Sequence, residues 1–184
     1  MNYPIDLDVL GPNPRLGFDI GRVIIAPSDG GADTSFLQGS DDDAMRTPPA
    51  PGAFEAIARL TEAVDGRTFL VSKCGPNIQR RTRRWLAHWG FHERTSLSPD
   101  HVRFCRERRD KAIHCRELAL DAFVDDRPDV LHHLLGIVGL RLLFGPQRPG
   151  RRPPAGAVPV ADWNDVTSIL LPLIERAQEV TAGA

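Results

Sequence analysis

Short apolar runs recur along this chain, each closed by polar residues and separated from the next by a segment of helical periodicity. Leu16 to Ile25 (LGFDIGRVII) is interrupted chiefly by Asp19, and Thr68 to Val71 (TFLV) ends at Ser72-Lys73-Cys74-Gly75. His101 to Cys105 (HVRFC), Ala122 to Val124 (AFV, ending at Asp125-Asp126) and Leu140 to Phe144 (LRLLF) follow, with Val158 to Val160 as a weak edge strand. Runs too apolar to alternate inside and outside are strands covered on both faces, as in a parallel sheet. Between them, Gly52 to Val64 has helical spacing. Pro76 to Trp89 places Ile78, Trp85, Leu86 and Trp89 on one face and Arg80, Arg81 and Arg84 away from it. Further helices are predicted over Asp110 to Leu118 with Asp110 as N-cap, over Asp129 to Val138, and over Asn164 to Val180 with a kink or break at Pro172.

Strand alternating with helix, without an internal repeat, predicts an α/β, Rossmann-like, doubly wound, mostly parallel sheet of about five strands with helices on both faces. At 184 residues the chain is expected to be one domain, 1–184. Residues 26–51 hold five aspartates and no lysine and read as an acidic flap, and 146–184 read as a C-terminal edge strand and helix. A net charge of -1 excludes global electrostatic attraction to nucleic acid or an anionic membrane. Three cysteines without a CxxC pair point to reduced thiols. There is no apolar run of about 18 residues and no signal-like start. A cytoplasmic location is therefore expected.

In such sheets ligands sit beyond the carboxyl ends of the strands. Three of those ends carry polar clusters: Asp19, Ser72-Lys73 and Asp125-Asp126. Buried carboxylates demand compensation, and several converging on one point suit a hard cation such as Mg2+. With a serine and a lysine nearby, the set suits phosphoryl transfer, which needs positioning and charge neutralisation above all.

The same residues resemble the haloacid dehalogenase-like (HAD) hydrolases. Phe18-Asp19-Ile20-Gly21-Arg22-Val23 is similar to their first motif and Thr68-Phe69-Leu70-Val71-Ser72 to their second. Lys111 matches the lysine of the third, and Ala122-Phe123-Val124-Asp125-Asp126 matches the paired acids of the fourth, followed by a nucleotidase-like Arg127-Pro128. The resemblance implies that Asp19 is the nucleophile, that Ser72 and Lys111 bind the transferring phosphoryl group, and that Asp19, the Gly21 carbonyl, Asp125 and Asp126 serve Mg2+. Lys73 competes with Lys111 for the lysine role. Gly21 departs from the pattern: the family's second aspartate, its general acid and base, would stand there, and glycine transfers no proton. Asp29 or Asp33 of the flap could substitute, or the leaving group needs no proton. The spacing leaves no room for a cap domain, so a capless protein is expected, its open site closed by a large substrate or by a second subunit of a homo-oligomer.

The expected function is a Mg2+-dependent phosphatase acting on a small phosphorylated substrate, a nucleotide or sugar phosphate being favoured, through an aspartyl-phosphate. The alternative is a binding protein that keeps the fold without turnover; halide removal does not use the metal-binding acids. A basic stretch from Arg80 to Arg109 reads equally as a substrate-docking surface or as a solvated face paired with the acidic flap, and sparse aromatics argue against nucleic acid. His88 and His92 are expected to be separated by a helix break at Gly90 rather than to bind zinc. Trp85 and Trp89 read as core and Cys74 as packing. Asp41-Asp42-Asp43 reads as solvated loop, and one of His132-His133 is expected to face solvent.

Overall fold

A computed structural model of the protein describes residues 5–27, 40–148, 150 and 152–182. Its strands are β1 (Leu16–Phe18), β2 (Thr68–Lys73), β3 (Val102–Cys105), β4 (Ala122–Asp125), β5 (Leu140–Phe144) and β6 (Ala157–Val160). All pair in parallel, in the order β3-β2-β1-β4-β5-β6. The helices are α1 (Asp41–Arg46), α2 (Ala53–Ala63), α3 (Pro76–His88), α4 (Phe91–Thr95), α5 (Lys111–Glu117), α6 (Pro128–His133) and α7 (Trp163–Ala182). This is the doubly wound α/β sheet expected, with the weak edge strand as a sixth member rather than an ornament on five.

Side-chain alternation along the strands feeds two apolar layers. Leu16, Phe18, Leu70, Val124 and Leu142 pack with Phe54, Trp85, Phe91 and Leu170 of α2, α3, α4 and α7. Phe69, Val71, Phe123 and Leu143 pack on the other face with Cys115 of α5 and Val130 and Leu131 of α6. Gly17 is fixed by this packing: a Cβ there would lie 2.5 Å from both Leu120 and Phe123.

The second layer also holds an arginine. Arg141, the second residue of β5 and only 4% exposed, donates to the carbonyls of Leu131 (3.0 Å) and Ala155 (2.9 Å). Its Nε has no hydrogen-bond partner, and burial lowers its pKa. Gly156 follows Ala155 with φ +71°, and a Cβ there would stand 2.9 Å from the Arg141 guanidinium.

Several elements differ from expectation. The first apolar run is not one long strand: β1 ends at Phe18, and Ile20 to Ile24 turn back so that the amides of Ile24 and Ile25 both donate to the Ile20 carbonyl (2.9 and 3.0 Å). Ile20, Val23, Ile24 and Ile25 are buried all the same, so the hydrophobicity records burial rather than strand pairing. The flap contains α1, set by a capping box in which Ser40 Oγ accepts from the Asp43 amide and Asp43 accepts from the Ser40 amide. Residues 28–39 of the flap, Asp29 and Asp33 among them, lie outside the described residues. Asp110 does not cap α5 with its side chain; its carboxylate accepts from the Glu107 amide at 3.3 Å, closing the preceding 3-10 turn. Helix α6 stops at His133, five residues short of Val138, and α4 was not anticipated. α7 runs unbroken through Pro172. Pro172 is on the exposed side, where water can take the carbonyl it leaves unpaired.

Candidate active site

The strand order reverses between β1 and β4, so the carboxyl ends of these neighbours open onto the crevice where such sheets take ligands. Asp19 is the first residue beyond β1, its amide donating to the Val124 carbonyl at 2.9 Å, and Asp125 is the last residue of β4. The parallel ladder therefore sets the two carboxylates side by side. Lys111, at the start of α5, reaches up between them: its Nζ lies 2.6 Å from Asp125 Oδ2 and 2.8 Å from Asp19 Oδ1. The lysine is 1% exposed, and its ammonium sits 5.6 Å from the Phe123 ring centroid. Burial opposes its charge, but the Asp125 and Asp19 carboxylates outweigh that and raise its pKa above the ordinary lysine value.

Asp126 follows on the cleft side. Its Oδ2 lies 3.2 Å from Arg22 Nε and 3.6 Å from Arg127 Nε. Burial and the Asp19 charge push its pKa up to about 6, against the pull of Arg127 and Arg22. Asp125 is likewise raised, by burial first and then by the charges of Asp19 and Asp126, with Lys111 opposing. Oxygens of Asp19, Asp125 and Asp126 all lie within 4.8 Å of one another. Asp19 Oδ1 is buried and, despite the nearby ammonium, accepts no well-aligned hydrogen bond. An all-carboxylate donor set whose oxygens converge in this way fits a hard divalent cation.

Above these groups lies a cleft of about 170 Å³ lined by Asp19, Gly21, Ser72, Cys74, Lys111 and Asp126, with Lys73, Arg22, Arg108 and Arg127 at its sides. Ser72, near the end of β2, is 9% exposed, whereas Lys73 is exposed at the strand's last position. Of the two lysines, Lys111 is the one that touches the acids. A Cβ on Gly21 would meet nothing within 4 Å. Arg22 next to it adopts φ +63°, which directs the chain back into the turn. Cys74 also lines the cleft, and burial followed by the Asp19 charge pushes its thiol up to about 12.

Sequence reasoning named the acids, Ser72 and Lys111 but did not see Arg22 and Arg108 as cleft residues. Arg22 was signalled by its place directly after Gly21; Arg108 stood in a basic stretch whose orientation only the fold decides. The rest of that stretch is divided. Arg81 Nε lies 2.9 Å from Asp41 Oδ1, and Arg84 pairs with the other oxygen, so part of the basic helix is matched by the acidic flap. Trp85 and Trp89 donate to the carbonyls of Thr47 (2.8 Å) and Met45 (3.1 Å), strapping α1 onto α3. Gly90 breaks the helix between His88 and His92, with φ +61°, and His92 Nδ1 lies 2.8 Å from the Leu97 carbonyl. His132 and His133 are both exposed.

No protein-family model matches the sequence, and no curated protein is significantly similar to it. Solved structures do match. One is a Burkholderia xenovorans LB400 protein assigned to the haloacid dehalogenase-like hydrolases, at 13% identity and a TM-score of 0.58 over 93% of this chain and 99% of that one. Another is a haloacid dehalogenase-like family hydrolase from Xanthomonas campestris, at 14% identity and a TM-score of 0.52 over 73% of this chain and 60% of that one. The chain thus has a HAD-like α/β fold. No helix among the described residues is long and apolar enough to cross a membrane.

Proposed function

We propose that the cleft hydrolyses the terminal phosphoryl group of a small phosphorylated substrate, a phosphate monoester such as a nucleotide or sugar phosphate, by transfer to Asp19. The observation that carries this reading is the buried Asp19-Lys111-Asp125 arrangement opening onto a phosphate-sized cleft. Asp19, Asp125 and Asp126 would hold Mg2+, which neutralises phosphoryl charge when bound. Asp19 is held in place by the Lys111 ammonium 2.8 Å away, which also lies where phosphoryl oxygens gather charge in the transition state. Ser72 offers a hydroxyl to those oxygens from the neighbouring strand end. A carboxylate oxygen of Asp19 attacks phosphorus and the leaving oxygen departs with the bonding pair. Water then cleaves the aspartyl-phosphate, giving inorganic phosphate, a free carboxylate and a proton.

The experiment is turnover of p-nitrophenyl phosphate with Mg2+, whose leaving group is acidic enough to depart unprotonated. The expected result is phosphate release that Asp19→Asn reduces at least 1,000-fold; no release by the wild-type protein, or full activity in the variant, overturns the assignment. The second reading, a binding protein without turnover, draws on Gly21, and would be met by beryllofluoride and Mg2+ binding in the absence of any phosphate release.

A further inference from the structure

Four non-glycine residues among those described adopt a left-handed backbone: Arg22, Asp65, Ser96 and Ala119. The last three stand at helix ends, Asp65 after α2, Ser96 as the C-cap of α4 and Ala119 after α5, where that conformation commonly closes a helix. Arg22 ends no helix. It sits at φ +63° in the turn that leaves β1, flanked by Ile20 and Val23, whose side chains are buried in the core.

Glycine accepts such a backbone without steric conflict, and the chain has one next door. Gly21, however, is not left-handed, and a Cβ on it would meet nothing within 4 Å. The order glycine-arginine is thus the reverse of what the local backbone asks for. Strain kept three residues after Asp19, in the turn that borders the cleft, points to a use for the Arg22 side chain.

That side chain lines the cleft with Asp19, Ser72, Lys111 and Asp126 and is 24% exposed. Its Nε lies 3.2 Å from Asp126 Oδ2, yet the buried N–H is not aligned on an acceptor. Asp126 therefore holds the guanidinium by charge rather than by a fitted hydrogen bond. A guanidinium carries five N–H donors in a rigid fork that matches the oxygens of a phosphoryl group, and a contact at Nε engages one edge of it.

Resting on the phosphoryl-transfer reading above, we infer that Arg22 is a further catalytic residue, its guanidinium binding the phosphoryl group that Asp19 accepts, across the space that Gly21 leaves open. Asp126 and the left-handed turn anchor the arginine, so that the fork meets the incoming oxygens already oriented. Lys111, held between Asp19 and Asp125, meets the same charge as a point; Arg22 adds directional donors.

The test measures Arg22→Gly and Arg22→Lys with p-nitrophenyl phosphate at saturating Mg2+, with inorganic phosphate as inhibitor. Glycine suits the backbone, so Arg22→Gly is expected to fold as the wild type does, read by circular dichroism, and to lose only the fork. Its kcat/KM should fall about 10- to 100-fold, the worth of a hydrogen bond to a charged group, and the inhibition constant for phosphate should rise about tenfold. Arg22→Lys, which keeps the charge without the fork, should fall between variant and wild type. Guanidinium chloride at a low millimolar concentration should restore Arg22→Gly several-fold over sodium chloride at the same concentration and leave the wild type unchanged.

Arg22→Gly within about threefold of wild type in both constants overturns the inference while phosphoryl transfer stands. So does a lysine variant equal to wild type, and so does a loss that guanidinium fails to relieve. A loss that further Mg2+ abolishes overturns it too, because the arginine then only orients Asp126. No phosphate release by the wild-type protein overturns the phosphoryl-transfer reading and this one with it.

Discussion

Two cations are buried on the same side of the sheet, and their surroundings differ. Lys111 meets Asp19 and Asp125 at 2.8 and 2.6 Å, whereas Arg141 meets only the carbonyls of Leu131 and Ala155. Both adjoin Phe123, the lysine over its ring and the arginine beside it in the strand register. Burial disfavours both charges; the carboxylates reverse that for Lys111 and raise its pKa, while Arg141 has no such help and its pKa is lowered. Charge held by charge, open to a cleft, makes reactive equipment. Charge held by carbonyl dipoles and sealed in the second layer makes a strut between α6 and the turn before β6.

Removing the lysine should have the larger effect. Lys111→Met leaves Asp19 and Asp125 buried without their counter-charge, a loss of about 3–5 kcal/mol when one partner of a buried pair is deleted. Urea unfolding measures it, and saturating Mg2+ should restore more stability to the variant than it adds to the wild type. Equal stability of variant and wild type would mean that the acids carry no charge there to be compensated.

Arg141→Met should cost less, about 1–3 kcal/mol, because two carbonyls lose donors but no charge is stranded. Its turnover of p-nitrophenyl phosphate should stay within twofold of wild type, since Arg141 lines no part of the cleft. Gly156→Ala should cost about 1–2 kcal/mol for its left-handed backbone, plus the penalty of a Cβ 2.9 Å from the guanidinium. In the Arg141→Met background that second part disappears, so the double-mutant cycle should show coupling of about 0.5 kcal/mol or more. Additive losses would detach the glycine from the arginine.

The contrast also explains what could be read from the sequence. The strand-end acids were legible because short apolar runs ending in polar residues mark strand termini, and adjacent parallel strands bring termini together, whereas Lys111, at the start of α5, was legible only through the family resemblance. Arg141 carried no such mark: LRLLF reads as an apolar strand whichever way its arginine points, and its acceptors come from Leu131 and Ala155, distant in sequence. β1 was overread for a related reason. Ile20 to Ile25 are buried by a turn that a count of apolar residues cannot distinguish from an extended strand. Arg22 and Arg108 needed the turn and the α5 approach to be known before they could be placed at the cleft.

Cys115 gives a finer probe of the same contrast, since it lies one turn after Lys111 on α5 and packs in the layer that contains Leu131. Burial pushes its thiol up to about 12, with the Lys111 charge pulling the other way and Asp125 adding to the rise. At pH 8 only about one molecule in ten thousand then carries the reactive thiolate, against a sizeable fraction for an unfolded cysteine with its ordinary pKa near 8.5. Iodoacetamide should therefore leave Cys115 unmodified in the native wild-type protein and label it once urea unfolds the chain, as read by peptide mass spectrometry. Arg141→Met should keep that protection, because the carbonyls it frees belong to α6 and the turn before β6. Lys111→Met should show partial labelling under native conditions, because α5 loses the ion pairs that tie its first residue to β4 and to Asp19. If Cys115 stays silent in Lys111→Met, apolar packing alone secures the helix, and the ion pairs serve the chemistry of Asp19 rather than the architecture around it.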